Sequence, residues 1–222
     1  MTVSCVIPAW NEAPRIGAVL DAVTFHPRLA EVIVVDDGST DGTSEAAARP
    51  GVTVIRQPNR GKSAAVATGI AAARHDLILL IDSDLQGLTP AALEALMVPV
   101  LSGQADVSVS LRRNAPWLWH RIGLDYISGE RLVPRHLLPP PGVMATLPRF
   151  GLEVEMNRRW IAAAARIAVV RWPAVDSPMK QAKRGAWAGI VADLAMIRDI
   201  AATVGLPRAA AQIAAMRRLR VA

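Results

Sequence analysis

The chain has 222 residues, 52% hydrophobic and 20% charged, which excludes a disordered tail and allows one large α/β domain with a peripheral extension but not two full domains. Lys and Arg number 25 against 19 Asp and Glu, and residues 156–222 alone hold 12 basic and 3 acidic side chains, so the basic excess lies in the C-terminal third. That balance favours an anionic partner, a membrane surface, a phosphorylated substrate or nucleic acid; with 4% aromatic residues and no recognition motif, nucleic-acid binding has the net charge but little else and is not expected.

In chain order, β-branched apolar runs predict strands at 3–7, 31–35, 52–55, 77–81 and 107–111. Ala-rich segments between them predict helices at 14–24, 42–49, 62–74 and 90–98. Strands this continuously apolar, alternating with helices, imply a mostly parallel sheet covered on both faces. Pro14 and Pro90 suit first-turn positions, the second behind a Thr89 cap. Cys5, the single cysteine, rules out an intrachain disulfide, fits a reducing compartment and reads as a buried small hydrophobe.

From Arg112 to Phe150 the periodicity fails, and Trp117, Trp119, His120 and prolines 139–141 crowd a long irregular segment. Residues 151–165 then read as a helix, 166–172 as a strand and 185–203 as a helix. No signal peptide is evident, and the apolar stretch 185–205 is interrupted by Asp193, Arg198 and Asp199, which makes it a poor spanning helix. A cytoplasmic protein is expected.

Ligands of an open α/β sheet sit beyond the carboxyl ends of its strands. Four of these ends are polar: Pro8-Ala9-Trp10-Asn11-Glu12, the run from Asp36 to Thr43, the run from Gln57 to Lys62, and Asp82-Ser83-Asp84-Leu85-Gln86. Asp82 and Asp84 flank one residue where a strand breaks, which can offer two hard oxygens to Mg²⁺ or Mn²⁺. Taken alone, a turn whose aspartates cap the helix near Pro90 is an equal alternative. Gly61-Lys62-Ser63 lacks the glycine a P-loop requires at the position of Arg56, and no dinucleotide fingerprint is present. It still places Arg60, Lys62 and backbone N–H groups at a helix N-terminus, a ready anion site.

CVIPAWNE, VIVVDDGSTDGT, NRGKSAAVATGI and LILLIDSDLQ, in this order and spacing, resemble the N-terminal half of family 2 glycosyltransferases of the GT-A fold over residues 2–110. The resemblance implies one Rossmann-like α/β domain with a mostly parallel central sheet flanked by helices. Residues 1–111 would form its nucleotide-sugar-binding half, and residues 112–222 its acceptor-binding half with the C-terminal helices. Carried across, Pro8, Asn11 and Glu12 line the nucleotide pocket, Asp37 contacts base or ribose, and Arg60 and Lys62 lie near the phosphates. Asp82 and Asp84 become the metal-binding pair, with Gln86 a further ligand, as in dolichyl-phosphate mannosyltransferase-like enzymes. The implied donor is a UDP- or GDP-linked sugar and the cofactor Mg²⁺ or Mn²⁺.

In the second half, ISGERLVPR (127–135), GLEVE (151–155) and Lys-x-x-Lys-Arg-Gly (180–185) are similar to polyprenyl-phosphate glycosyltransferases and glucosyl-3-phosphoglycerate synthases. Both act on phosphorylated acceptors. Arg112 sits where the polyprenyl enzymes hold the acceptor phosphate, with Arg131 and Arg135 beside it, and Glu155 matches a glutamate that reaches the sugar. The synthases carry a histidine ligand where this chain has Asp176-Ser177-Pro178, with His120 or His136 as candidate replacements. A phosphate acceptor is already ionised and needs no general base; a hydroxyl acceptor would need one, for which Asp125, Glu130 and Glu153 are candidates.

Residues 206–222 place Ile213, Met216 and Leu219 at helical spacing beside Arg217, Arg218 and Arg220. Such a helix either packs on its own domain or lies on an anionic membrane, and Trp117 and Trp119 either pack in the core or grip a lipid chain. The expected activity is metal-dependent sugar transfer to a polyprenyl phosphate by a cytoplasmic enzyme, peripheral at the inner membrane face. The alternatives are a soluble glucosyl-3-phosphoglycerate synthase-like enzyme and a non-catalytic nucleotide- or membrane-binding module.

Overall fold

Side chains of a strand alternate between faces, so a strand that is apolar at every position needs cover on both sides. The structure, a computed structural model that describes residues 2–148, 150–178, 198 and 204–221, resolves that demand with one seven-stranded sheet. Its order is β3-β2-β1-β4-β6-β5-β7, formed by β1 (Val3–Ala9), β2 (Leu29–Asp36), β3 (Val52–Arg56), β4 (Leu77–Leu80), β5 (Val107–Arg112), β6 (Arg131–Pro134) and β7 (Ile167–Trp172). All neighbours pair in parallel except β6, which runs antiparallel between β4 and β5.

Cys5 and Ile7 of β1 face a layer made by α1 (Ile16–Val23), α2 (Thr43–Ala47) and α4 (Pro90–Leu101). Val6 faces the opposite layer, made by α3 (Lys62–Ala72), α5 (Trp117–Ile122), α6 (Pro141–Met144), α7 (Gly151–Ala162) and α8 (Leu206–Arg218). Burial raises the pKa of the Cys5 thiol, as fits a core residue.

The expected α/β sheet is present, and six of its strands coincide with the apolar runs. At α4, Thr89 Oγ1 accepts a hydrogen bond from Ala92 N at 3.2 Å with Pro90 in the first turn. Pro14 does not open a helix: it lies in a turn where Arg15 and Ile16 N–H both donate to the Glu12 carbonyl, and α1 begins at Ile16. The segment 112–150 is more ordered than its pattern suggests, since it holds α5, β6, a 3₁₀ turn at Arg135–Leu137 and α6. β6 has only four residues, RLVP, too few to show a period and interrupted by Arg and Pro.

The expected helix at 185–203 lies outside the described residues except at Arg198. Met216 of α8 is fully buried, while Ile213 and, just past the helix end, Leu219 pack on the core. Of the two roles the sequence left open for this apolar face, packing on its own domain is the one the structure shows. Among the described residues, no helix is long and apolar enough to cross a membrane.

Candidate functional site

Parallel pairing in register brings the carboxyl ends of β1, β2 and β3 to one edge, with Ala9 beside Asp36 and Asp36 beside Arg56. A cleft of about 520 Å³ opens there. Pro8, Trp10 and Glu12 line it from β1 and the loop after it, Asp37 from just past β2, Asn59, Gly61 and Lys62 from the turn into α3, and Asp82, Ser83 and Asp84 from the loop after β4. A larger cavity of about 710 Å³ involves Arg74, His75, Asp106 and Arg166 near the start of β4 and β5. There Arg74 is taken by Glu31 at 3.0 Å and Arg166 by Asp106 at 2.8 Å, so the smaller cleft is the site on chemical grounds.

Asp37 shapes this cleft through the backbone. It is buried, and its Oδ1 accepts from Gln57 Nε2 at 2.7 Å and Arg60 N at 3.0 Å while its Oδ2 accepts from Gly61 N at 2.7 Å. These bonds fix the turn that starts α3 at the cleft. Asn11 has φ 55°, a left-handed conformation that asparagine tolerates better than most residues. Its N–H donates to Ser39 Oγ and its Oδ1 accepts from Thr40 N, both at 2.9 Å, so it clamps the β1 loop to the β2 loop behind the cleft wall. Buried Asp36 accepts from Ser39 N at 2.8 Å and from the Ser44 hydroxyl.

Lys62, the first residue of α3, reaches Asp82 Oδ1 at 2.7 Å and Glu153 Oε1 at 3.5 Å. Burial opposes the charge on Asp82, but Lys62, with Arg112 and Arg131 behind it, holds the carboxyl below its ordinary range. Burial likewise works against the ammonium of Lys62, and Asp82 and Glu153 outweigh it, so its pKa is raised. At Asp84 the same cations, Lys62 and Arg112, are outweighed. Burial, then repulsion from Asp82 and Glu12, pushes it up to about 6. The site thus gathers carboxylate charge that its own cations leave unbalanced.

Among the described residues, no group of three or more His, Cys, Asp and Glu side chains is placed to hold a metal. The donor set is an all-oxygen pair, Asp82 and Asp84, with unbalanced negative charge. It fits Mg²⁺ or Mn²⁺, since such ions are held by one or two carboxylates and complete their shell with water and substrate phosphates.

Beyond the pair, Arg112 at the end of β5 lies 3.7 Å from Asp125 Oδ2 and 3.5 Å from Glu130 Oε1. Both distances exceed a good hydrogen bond, and its buried Nε has no partner. Its pKa is raised because Glu130, Asp125, Asp82 and Asp84 outweigh the burial that opposes its charge. The Glu130 carboxylate is steadied by Ser110 at 2.6 Å and Ser128 at 2.7 Å. Asp125 is buried and pushed up to about 6, by burial first and with Glu130 adding to it against Arg112.

Several expected site residues are placed elsewhere. Arg131 is fully buried, donates to Ser128 O at 2.7 Å, Asn157 Oδ1 at 2.7 Å and Tyr126 O at 3.1 Å, and stacks over Trp160 at 4.9 Å. It braces the loop before β6 and offers nothing to an acceptor. Arg135 donates to the carbonyls of Ile70, Ala73 and His75, closing the end of α3. Glu155 points away, paired with Arg158 at 2.6 Å and Arg159 at 3.3 Å.

Arg60 is exposed, donates to Gln57 Oε1 at 3.1 Å and stays out of the cleft lining. Exposed Gln86 is tied through its backbone to Asp176, whose carboxylate is paired with Arg113. His120 contacts the Arg113 carbonyl at 3.1 Å and His136 lines the other cavity, so neither joins the acidic pair.

Two residues gain importance. Glu153, one of three candidate bases, is the glutamate of GLEVE that faces Lys62. Gly129 packs so closely on Asp82 that a Cβ there would lie 2.6 Å from both carboxylate oxygens. The sequence signal for both lay in the GLEVE and ISGERLVPR motifs; what it lacked was which position of each motif faces the site.

Comparisons with known proteins fit this geometry. The family model for glycosyl transferase family 2 matches residues 4–159. An undecaprenyl-phosphate 4-deoxy-4-formamido-L-arabinose transferase of Aeromonas hydrophila is 38% identical over 130 residues, 54% of this chain and 39% of that protein. A glucosyl-3-phosphoglycerate synthase of Mycolicibacterium paratuberculosis is 36% identical over 112 residues, 46% of this chain and 34% of that protein. The chain spans less than two thirds of the length of these curated relatives. Among solved structures, glucosyl-3-phosphoglycerate synthase from Mycobacterium tuberculosis in complex with Mn²⁺, uridine-diphosphate-glucose and phosphoglyceric acid aligns with a TM-score of 0.71 at 27% identity, over 94% of this chain and 80% of that one. Four motifs meeting at one sheet edge, and a match over more than half its length, show that the chain belongs to glycosyl transferase family 2.

Proposed function

We propose that the chain transfers a sugar from a nucleotide-diphosphate sugar to a phosphorylated acceptor, with Mg²⁺ or Mn²⁺ held by Asp82 and Asp84. The carrying observation is the unbalanced acidic pair facing Lys62 across a cleft whose far wall is set by Asp37. When bound, the cation supplies neutralisation of the charge that builds on the departing nucleotide diphosphate. Asp37 orders the turn that presents Gly61 N and the start of α3, where backbone N–H groups favour an anion. Lys62 keeps Asp82 ionised and places a positive charge where the diphosphate lies. Glu153 orients Lys62 from the other side.

Arg112, with its buried Nε free of a hydrogen bond, is the group best placed to receive an acceptor phosphate. In this reading residues 1–111 hold the donor and residues 112–222 the acceptor. A polyprenyl phosphate acceptor at the cytoplasmic face of a membrane is supported by the Asp-Ser-Asp-Leu-Gln motif, by Arg112 and by the polyprenyl-phosphate relative. A small acceptor such as phosphoglycerate is the second reading, supported by the likeness to a solved synthase over 94% of the chain.

The test is turnover of a UDP- or GDP-sugar with Mn²⁺, offering a short-chain prenyl phosphate in detergent or 3-phosphoglycerate in buffer. Product with the lipid alone supports the first reading, and product with phosphoglycerate alone supports the second. Tight donor binding without turnover on either acceptor would leave a nucleotide-binding module.

A further inference from the structure

None of the described basic residues of 156–222 lines the cleft, Lys180, Lys183 and Arg184 of the Lys-x-x-Lys-Arg-Gly stretch lying outside the described residues, and some of them are exposed near α5. α5 exposes Trp117 at 69% and carries the Arg121 guanidinium 5.9 Å from its ring. The chain end lies against the other end of α5. There Arg220 Nη1 donates to the Ile122 carbonyl at 3.4 Å and packs so closely on Gly123 that a Cβ would meet it at 2.6 Å.

Residues 219–221 are fixed alongside β7 by Ile167 N to Leu219 O at 2.9 Å and Val221 N to Ile167 O at 3.0 Å. Arg217 and Arg218, exposed in the last turn of α8, lead directly into this fixed segment, whose Arg220 meets the end of α5. Neither residues 113–124 nor residues 204–221 contain an acidic side chain. Among the described residues, Arg121, Arg217 and Arg218 have no carboxylate partner.

We propose that this face, Trp117 and Arg121 of α5 with Arg217, Arg218 and Arg220 at the chain end, docks on an anionic lipid bilayer. An exposed indole beside guanidinium groups suits the headgroup level of a bilayer, where the ring meets acyl chains and the cations meet lipid phosphates. Single-stranded nucleic acid calls for successive stacking platforms, and this face offers one exposed ring. A second copy of the chain would bring like charges together.

The docking surface keeps the arginines and Trp117 that the sequence offered for a membrane but not the apolar side of α8, which is buried in the core. It stands on its own residues and does not require the sugar-transfer reading. It does complement that reading, because α5 begins five residues after Arg112 and would bring the acceptor side of the cleft towards the lipid.

The experiment is cosedimentation of the chain with vesicles of phosphatidylcholine, with and without phosphatidylglycerol, for wild type, Trp117→Ala and the triple variant Arg121→Gln, Arg217→Gln, Arg218→Gln. Wild type should bind the phosphatidylglycerol vesicles, less so in high salt. The triple variant should bind roughly tenfold or more weakly, with an unchanged melting temperature because these side chains are exposed. Trp117→Ala should also weaken binding, while the salt dependence stays.

Absence of binding to phosphatidylglycerol vesicles, or binding that both variants keep, overturns the proposal. So does oligonucleotide binding that displaces the vesicles and is lost in the same variants. Transfer to a short-chain prenyl phosphate in detergent is measured in parallel and should persist in the triple variant. If wild type fails to transfer to the prenyl phosphate while vesicle binding holds, the polyprenyl reading of the proposed function falls and the docking surface stands.

Discussion

Asp84 and Asp125 are carboxyls whose folded environment disfavours their charge, both pushed up to about 6. A raised pKa means that the folded chain binds the proton more tightly than the unfolded chain does. Their contribution is therefore fully stabilising below about pH 4 and is lost as pH rises through 6. Metal-free Asp84→Asn should accordingly melt higher than wild type at pH 7, by up to ~2 kcal/mol after allowance for solvent screening at a partly exposed site. The gain should vanish at pH 4, which paired thermal melts at the two pH values will show. Because proton and cation compete for the same oxygens, Mn²⁺ affinity should fall as pH drops below about 6.

Glu153 and Glu155 give a second contrast at this scale. Glu153→Gln should lower turnover by more than roughly tenfold, since it faces Lys62, whereas Glu155→Gln should leave turnover within about twofold, because exposed helix pairs contribute little. Steady-state kinetics on the two variants decides it, and equal losses would contradict the placement. The sequence showed a Glu-x-Glu motif but not which residue faces inward, as residues two apart are about 200° apart around a helix. Arg131 was illegible for a related reason: its partner ring, Trp160, comes from α7 and leaves no mark near Arg131.

Among the elements, the link between α3 and β1 depends on Gly69. A methyl there would lie 2.4 Å from Val6 Cγ1 and 3.2 Å from Val35 Cγ2. Gly→Ala inside a helix ordinarily stabilises by about 1 kcal/mol, yet Gly69→Ala should destabilise by about 1–3 kcal/mol through overpacking, measured by urea unfolding. Gly129→Ala makes the corresponding test of the loop before β6. It should weaken metal-dependent donor binding more than it lowers stability, because the added carbon meets the Asp82 carboxylate and not the core. Strands β1 to β5 and β7 were legible because long β-branched runs can only be buried strands or helices, and their lengths decide. β6 was not, since RLVP gains its place from Leu79 and Ser108 across the sheet, with Leu132 between them.

For the whole molecule, the four polar strand ends were readable from chain order alone, because a parallel sheet must bring its carboxyl ends to one edge. That rule placed Pro8, Glu12, Asp37, Lys62, Asp82 and Asp84 in one cleft. It has no purchase on residues reached through the antiparallel strand and the helices after it, and Arg131, Arg135 and Glu155 lie outside the cleft lining. The charge division is likewise global: acidic groups collect in and behind the cleft, while among the described residues Arg121, Arg217 and Arg218 are exposed without a carboxylate partner.

The central claim, a cation-assisted nucleotide-sugar site at Asp82 and Asp84, is tested most directly by titration calorimetry of UDP- and GDP-sugars into wild type and Asp84→Ala, with and without Mn²⁺. The account expects one nucleotide sugar to bind wild type with Mn²⁺, at least tenfold more weakly without it, and Asp84→Ala to lose the Mn²⁺ dependence. Donor binding of equal strength in wild type and Asp84→Ala, or no binding by any nucleotide sugar, would contradict it.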